Sequence, residues 1–500
     1  MREWRKLLPN VKFEELMPFP GTRIRPFALI LAAATLLAAQ DSDMAERLYR
    51  SGERAYAAHT YPEALETWRQ LTEQVPQSPF AAQALLALAR HQLEVEHKPE
   101  AAVPLLEKVK AEHLRTPYAG TALLLLGNIK AARARTPAEL KQAMGEYDRL
   151  VDVFPDHPQV QEARYQLGAA FKRQGEWARA MQSFTETMRL DPGAAIAHRA
   201  QLEAAETLDI MGDLPGCLRM LQDLRNRYPQ SAEAADAQWR IQVRVMQRLE
   251  KPPVKSEGSW PPGRQKWLNT PILLATGPDG ELYLYQTKDD RPARLKDGNL
   301  EPAGPVTKNP KALLVTAQGQ VWVVDRKAGL VKDETLPGPL PLPSPCGGMV
   351  DGWGNAWLCD EDAPNLVVLG GETPRSLPVP RVQALAALPT GGAVAASDSS
   401  RTLRFLDAAG QVKLTLPYGK DLPAAFKSVV ALASDPLGQV AALVDGDFEG
   451  VVVWGPDGAV LRSATYKALG IAGKFRALAL DRKGGIILAD RSNDLLIRLQ

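Results

Sequence analysis

The stretch that most constrains this chain is Gln161 to Pro192, QEARYQLGAAFKRQGEWARAMQSFTETMRLDP, which reads as two short antiparallel helices ending at a proline. With Gln161 as position 1, Leu167 and Gly168 fall at 7 and 8, Phe171 at 11, Gly175 at 15, Trp177 at 17, Ala180 at 20, Phe184 at 24 and Pro192 at 32. A unit from His198 puts Ala205 at 8, Leu208 at 11, Gly212 at 15, Cys217 at 20, Leu221 at 24 and Pro229 at 32. A unit from Ala45 puts Gly52 at 8, Tyr61 at 17, Ala64 at 20, Trp68 at 24, Leu71 at 27 and Pro76 at 32. Two degenerate units lie between them. One holds Leu126, Gly127, Ala143, Tyr147, Leu150 and Pro155 in register if about four residues are inserted in its inter-helix turn, at AARARTPAEL. The other spans Phe80 to Leu114 with Leu86, Ala87, Ala102 and Leu106. The expectation is five helical hairpins.

These positions resemble the tetratricopeptide repeat, in which small residues at 8 and 20 let two helices approach and large ones at 11, 17 and 24 fill the gap between them. Pro155, Pro192 and Pro229 are spaced by 37 residues. That spacing, with YPQSAEAADAQWR and FPDHPQVQEARYQLG, is similar to exported bacterial repeats of outer-membrane-protein assembly lipoproteins and Tol-Pal-associated coordinators. The resemblance covers roughly residues 43–250. It implies a concave face built from positions 2, 5, 9, 12 and 13: Glu46, Tyr49, Glu53 and Tyr56 in the first unit, and Glu162, Tyr165, Lys172 and Arg173 in the fourth. Tyrosines flanked by charge suit an extended peptide or a partner helix; solvated helix surface is the alternative.

Residues 1–40 form a leader. Arg23 and Arg25 precede an uncharged run from Pro26 to Ala39, short for a bilayer span but fitting the apolar core of a secretory signal. Met17 offers a second start, and no Cys near the expected cut supports a lipid anchor. Export to the periplasm or beyond is expected, with an uncleaved inner-membrane anchor as the alternative. The balance of 60 Lys+Arg against 58 Asp+Glu gives no field that favours nucleic acid.

After Glu250 the pattern changes. Residues 251–263, rich in proline and polar side chains, read as a linker, and beyond them apolar runs are short and bounded by Gly, Pro, Asp and Asn. Six times an apolar strand leads through a glycine turn to a second strand, as in ALLVTAQGQVWVVD and ALALDRKGGIILAD. The turn glycines Gly280, Gly319, Gly354, Gly392, Gly438 and Gly485 come at intervals of 39, 35, 38, 46 and 47 residues, near the period of a propeller blade. Residues 264–500 are similar to six-bladed propellers of the NHL-repeat type. The last blade lacks an outer strand, which Gln265 to Asn269 is expected to supply. The fold class is thus an α-solenoid followed by an all-β propeller.

The recurring Asp325, Asp360, Asp398, Asp445 and Asp490 read as acceptors for turn amides at strand ends rather than as a metal or catalytic set. All six His residues lie in the helical half, which removes the usual acid/base and the commonest metal ligand from the propeller. His91 and His97 do not share a helix face; solvated histidines are expected. Cys217 takes a small packing position. Cys346 and Cys359 sit symmetrically about a turn near Asp351 to Gly354, which permits either a cross-strand disulfide or two reduced core cysteines. The proline-rich Leu336 to Pro345 reads as an extended inter-blade connection, with a docking segment as the alternative. No cofactor, metal or catalytic set is expected. The leading expectation is a non-enzymatic scaffold binding a protein or peptide in the cell envelope. The rivals are a propeller taking a small molecule or glycan at Asp351, Trp353, Trp357 and Asp360, and a membrane-anchored sensor.

Overall fold

A computed structural model describes residues 26–250, 253–263, 265–278, 280–332, 342, 344–361, 363, 365–370, 374–379, 381–388, 391–435, 437–481 and 484–500. Side chains are described from residue 41, save those of 247 and 250. Most of the leader and most of Leu336 to Pro345 therefore lie outside the described residues.

The helices follow the repeat closely. They are α1 (Pro26–Ala57), α2 (Tyr61–Gln74), α3 (Pro79–Glu94), α4 (Pro99–Glu112), α5 (Pro117–Arg133), α6 (Pro137–Val153), α7 (Val160–Gln174), α8 (Trp177–Leu190), α9 (Ala195–Ile210), α10 (Leu214–Arg227) and α11 (Ala232–Arg244). Many open on proline, whose fixed φ and missing N–H suit a first turn. Ser78, Thr136 and Ser231 cap their helices by accepting a backbone N–H. The ten helices α1–α10 pair into the five expected hairpins. The extra residues of the third lengthen its helices to 17 residues each and leave a turn of only Ala134 to Thr136. The glycines at position 8 explain the close pairing. A Cβ on Gly52 would sit 2.3 Å from Trp68, one on Gly127 2.4 Å from Tyr147, and one on Gly168 2.6 Å from Phe184.

The chain divides into two compact units, 1–126 and 127–500, so the division falls inside α5 and not at the change from helix to strand. The first unit has its own core of Ala45, Ala64, Trp68, Leu71, Ala84 and Leu88. The apolar run from Pro26 continues as α1 into the first repeat, and among the described residues no helix is long and apolar enough to cross a membrane.

The second unit carries the later repeats and a six-bladed propeller. Its blades are antiparallel sheets whose second strands, such as Leu282–Gln286, Val321–Asp325, Ala356–Asp360, Ala393–Ser397 and Ile486–Asp490, are buried along their whole length. Neighbouring blades cover both faces, so these strands need unbroken apolar runs. Apolar clusters sit between successive blades, and Leu284 and Leu295 of the first pack on Ile487 and Leu496 of the last, closing the ring.

The closing strand differs from the expectation. Ser256–Ser259, inside the stretch read as a linker, pairs with Leu495–Leu499, and Lys255 and Gln500 exchange backbone hydrogen bonds at 2.8 and 2.9 Å. Gln265 to Asn269 does not take this place. The closing strand lies at a solvent edge and is mostly polar, so it gave no apolar signal.

Each first hairpin turn carries a left-handed glycine. These are Gly280, Gly319, Gly354, Gly391, Gly438 and Gly484, with φ between +75° and +91°. In the two Gly-Gly turns it is therefore the first glycine, not Gly392 or Gly485. Aligned on these turns, Asp325, Asp360 and Asp490 share one position, six residues on. Ser397 and Val444 take it in the fourth and fifth blades. Asp445 lies one step further along its strand and Asp398 one step past the end of its strand, in the following turn, so the five carboxylates are not one set. Asp325 accepts from the amides of Lys308, Asn309, Lys327 and Ala328. Burial alone would raise its pKa; those four amides leave it below the ordinary range.

Candidate functional site

The candidate site is built where the later repeats meet the propeller. It begins at the short α5–α6 turn. Thr136 caps α6 by accepting from Glu139 N–H, while the Glu139 carboxylate accepts from Arg135 N–H at 2.6 Å. This fixes the backbone of Arg135, whose Nη1 donates to the Trp353 carbonyl at 2.8 Å and whose own carbonyl accepts from Asn355 Nδ2. On α7, Arg173 donates to the Ala131 and Ala134 carbonyls and lays its guanidinium 4.3 Å from the Trp353 ring centre. Burial and nearby Arg135 lower the Arg173 pKa.

The third-blade turn is prepared for this contact. Asp351 accepts from the amides of Trp353 and Asn355, from Asn355 Nδ2 and from Trp357 Nε1, so it is spent on holding its own hairpin. Burial raises its pKa against the pull of these donors. Trp353, 2% exposed, lies so close to the next blade that a Cβ on Gly391 would sit 2.3 Å from its Nε1.

Further along, the face of α7, α9 and α11 is an ion-pair ladder. Lys172 binds Glu203 at 2.7 Å and Glu206 at 2.9 Å; Arg240 also pairs with Glu206. Asp209 takes Arg244 at 2.8 Å and Arg248 at 2.5 Å, with Asp209 and Arg244 both buried. Below them, in the fifth-blade turn, Asp435 accepts from the amides of Leu437 and Gln439, and burial pushes its carboxyl up to about 6 although Arg244 and Arg248 pull it down.

The sequence-derived candidates thus separate. Lys172 and Arg173 are engaged inside the second unit, Arg173 directly on Trp353, which joins one residue of the expected peptide face to one of the expected propeller ligand set. Asp351, Trp353, Trp357 and Asp360 are all at most 3% exposed. Asp360 accepts from the amides of Ser344 and Ala363. These four serve the fold rather than an open funnel. Glu162 accepts from Gln166, and Tyr165 packs on Phe184 with its hydroxyl pushed up to about 12 by burial.

The first unit keeps its candidates together. Glu46, Tyr49, Glu53 and Tyr56 lie along α1. Arg50 pairs with both glutamates at 3.3 and 3.9 Å. Tyr49 and Tyr56 are half-buried in a group with Tyr61, Trp68, Phe80 and His91 at ring separations from 4.9 to 6.4 Å. His91 is buried at 2% exposure, not solvated as expected, because it packs against Tyr56 and Tyr61, and His113, just past the end of α4, is buried at 4%.

Cys346 and Cys359 form a disulfide with Cα atoms 5.6 Å apart. They are not directly opposite: Cys359 pairs with Gly347 and Asp360 with Pro345, which leaves Cys346 in a bulge. The three-residue turn shifts the register by one from the symmetric hairpin. Among the described residues no group of three His, Cys, Asp or Glu is arranged to hold a metal ion.

Arg135, Asp209 and Arg244 were not singled out by the sequence. Arg135 lies in the degenerate turn, and its partner is 218 residues away; a repeat register carries no signal for such a contact.

Residues 162–194 match the tetratricopeptide repeat model. Among solved structures the chain is similar to a streptogramin B lyase, at 11% identity and a TM-score of 0.36, over 49% of this chain and 97% of that one. A gluconolactonase, XC5397 from Xanthomonas campestris, aligns at 15% and 0.36, over 50% and 94%. YrrB, a TPR protein with an unusual peptide-binding site, aligns at 21% and 0.30, over 41% and 96%. A search of curated proteins finds no match.

Proposed function

We propose that this protein is a non-enzymatic protein-interaction scaffold of the bacterial cell envelope, and that its partner-binding surface is the aromatic face of the first repeat. The observation that carries this is the contrast between equivalent repeat positions. Lys172, at position 12, is held by ion pairs within the second unit and Arg173 beside it lies on Trp353, while Tyr56 at the same position is half-buried in an aromatic group that Tyr49 shares. A rigid aromatic surface edged with paired charges suits an apolar peptide or helix with polar flanks, since tyrosine gives contact area at low entropy cost. The uncharged run after Arg23 and Arg25 supports export, and a disulfide in the third blade is compatible with it.

The test is site-specific photocrosslinking in intact cells, with the photoreactive residue at position 53 or 56 and, for comparison, at 172. A discrete adduct from 53 and 56, absent from 172 and found in the envelope fraction, is the expected result. No adduct at 53 or 56, or adducts of equal yield at all three positions, would sink the reading.

A further inference from the structure

A cavity of about 540 Å³ opens between the helical ladder and the propeller, all of it within the second unit. Its helical wall is polar and predominantly basic. Lys172, Arg173, Arg244 and Arg248 line it against Glu203, Glu206 and Asp209, and Arg240 stands behind Glu206. The carboxylates are fully used: Glu203 by Lys172, Glu206 by Lys172 and Arg240, and Asp209 by two arginines. Two of the cations are not. Arg248 shares its carboxylate, Asp209, with Arg244, which also donates to the Arg240 carbonyl, and Arg173 has carbonyl partners and a ring but a buried Nε–H with no acceptor. The opposite wall is apolar, with Leu388 and Leu437 from the fourth- and fifth-blade turns and Pro456, while Trp177 closes the end at α8.

A chamber of this size with one basic and one apolar wall selects both parts of a ligand. A head carrying negative charge gains charge-assisted hydrogen bonds from the arginines, and an apolar body covers the leucines and the indole. A cationic or purely apolar molecule gains only one of these. From this juxtaposition we propose that the cavity is a binding site for an amphipathic organic anion, an apolar body bearing a carboxylate or related acid. Arg248 and Arg173 hold the head, and Leu437 and Trp177 hold the body. A free small acid and the acidic, apolar stretch of an extended peptide present the same chemistry. The site needs both the helices and the blade turns.

The experiment titrates the full chain with anilinonaphthalene sulfonate, an aromatic anion that fluoresces when its body leaves water. Saturable binding is expected in the wild type. Arg248→Gln on the basic wall and Leu437→Glu on the apolar wall are each expected to weaken it about tenfold, the equivalent of one charge-assisted hydrogen bond. Circular dichroism confirms that the variants are folded, and either one suffices if the other is not. Displacement by octanoate but not by a capped Leu-Glu-Leu-Glu peptide assigns a free acid; displacement by the peptide alone assigns a peptide segment. No saturable binding by the wild type, or equal binding by wild type and folded variants, overturns the proposal.

Discussion

The first and fourth repeats use the same helical frame for different ends. In both, a glycine at position 8 lies against an aromatic at position 24, Gly52 on Trp68 and Gly168 on Phe184. At positions 12 and 13 they part. The first repeat presents Tyr56 within a set of aromatic rings, whereas the fourth presents Lys172 and Arg173, which carry an ion-pair ladder and a propeller contact. A repeat frame therefore fixes how helices pack and leaves open what their concave side chains do. The identity of those side chains, and what the fold brings against them, decides between a surface and a joint.

The largest test of the joint is Asp209→Ala. It leaves Arg244, 2% exposed, without its carboxylate, and loss of one partner from a buried pair costs about 3–5 kcal/mol. Chemical denaturation should show the loss in the transition that reports on the propeller tryptophans. Loss confined to the helices would break the claim that the ladder and propeller form one unit. Trp353→Ala comes next, at about 3 kcal/mol, since it removes a buried indole and its Arg173 contact. Limited proteolysis near residues 251–255 should accelerate; an unchanged digestion pattern would remove Trp353 from the joint. The shared frame is tested by Gly52→Ala and Gly168→Ala, each expected to cost about 1–3 kcal/mol through overpacking against the aromatic ring. Comparable falls in melting temperature support a common frame, while loss at only one site would break it.

The smallest effect concerns pH. A carboxyl raised to about 6 in the fold is protonated there at pH values where the unfolded chain, with a carboxyl near its ordinary value, is ionised. Asp435 therefore contributes stability that is present at low pH and lost as pH rises from about 4 to 6. Asp325, lowered by its amides, works the other way and loses its contribution as pH falls. Stability measured from about pH 4 to 6 should show a wild-type advantage over Asp435→Asn that shrinks as pH rises, and, below about pH 4, an advantage over Asp325→Asn that shrinks as pH falls. The same slope for both variants would contradict the burial of Asp435.

Much of this was legible in the chain. The small and large residues of the repeat gave the hairpins, and the glycine spacing gave six blades, because both are rules of close packing over short separations. The Gly-Gly turns differ from expectation by one residue, since either glycine tolerates a left-handed backbone and only the hydrogen-bond register chooses between them. The aspartates do not form one set for a related cause: a one-residue offset changes what a strand-end side chain faces. The closing strand carries no sequence signal, because an edge strand facing water has polar residues like those of a linker.

By itself, then, the sequence determined the two repeat architectures, their order and their packing rules, since each is written in contacts between neighbours along the chain. Only the tertiary structure decided that Arg135 and Arg173 meet Trp353, that Asp209 is shared by Arg244 and Arg248, and that a charged helical wall faces an apolar one across a cavity. Those pairings join residues tens to hundreds of positions apart. Their side chains obey no period, and their energies depend on burial and local charge, which exist only once the chain has folded.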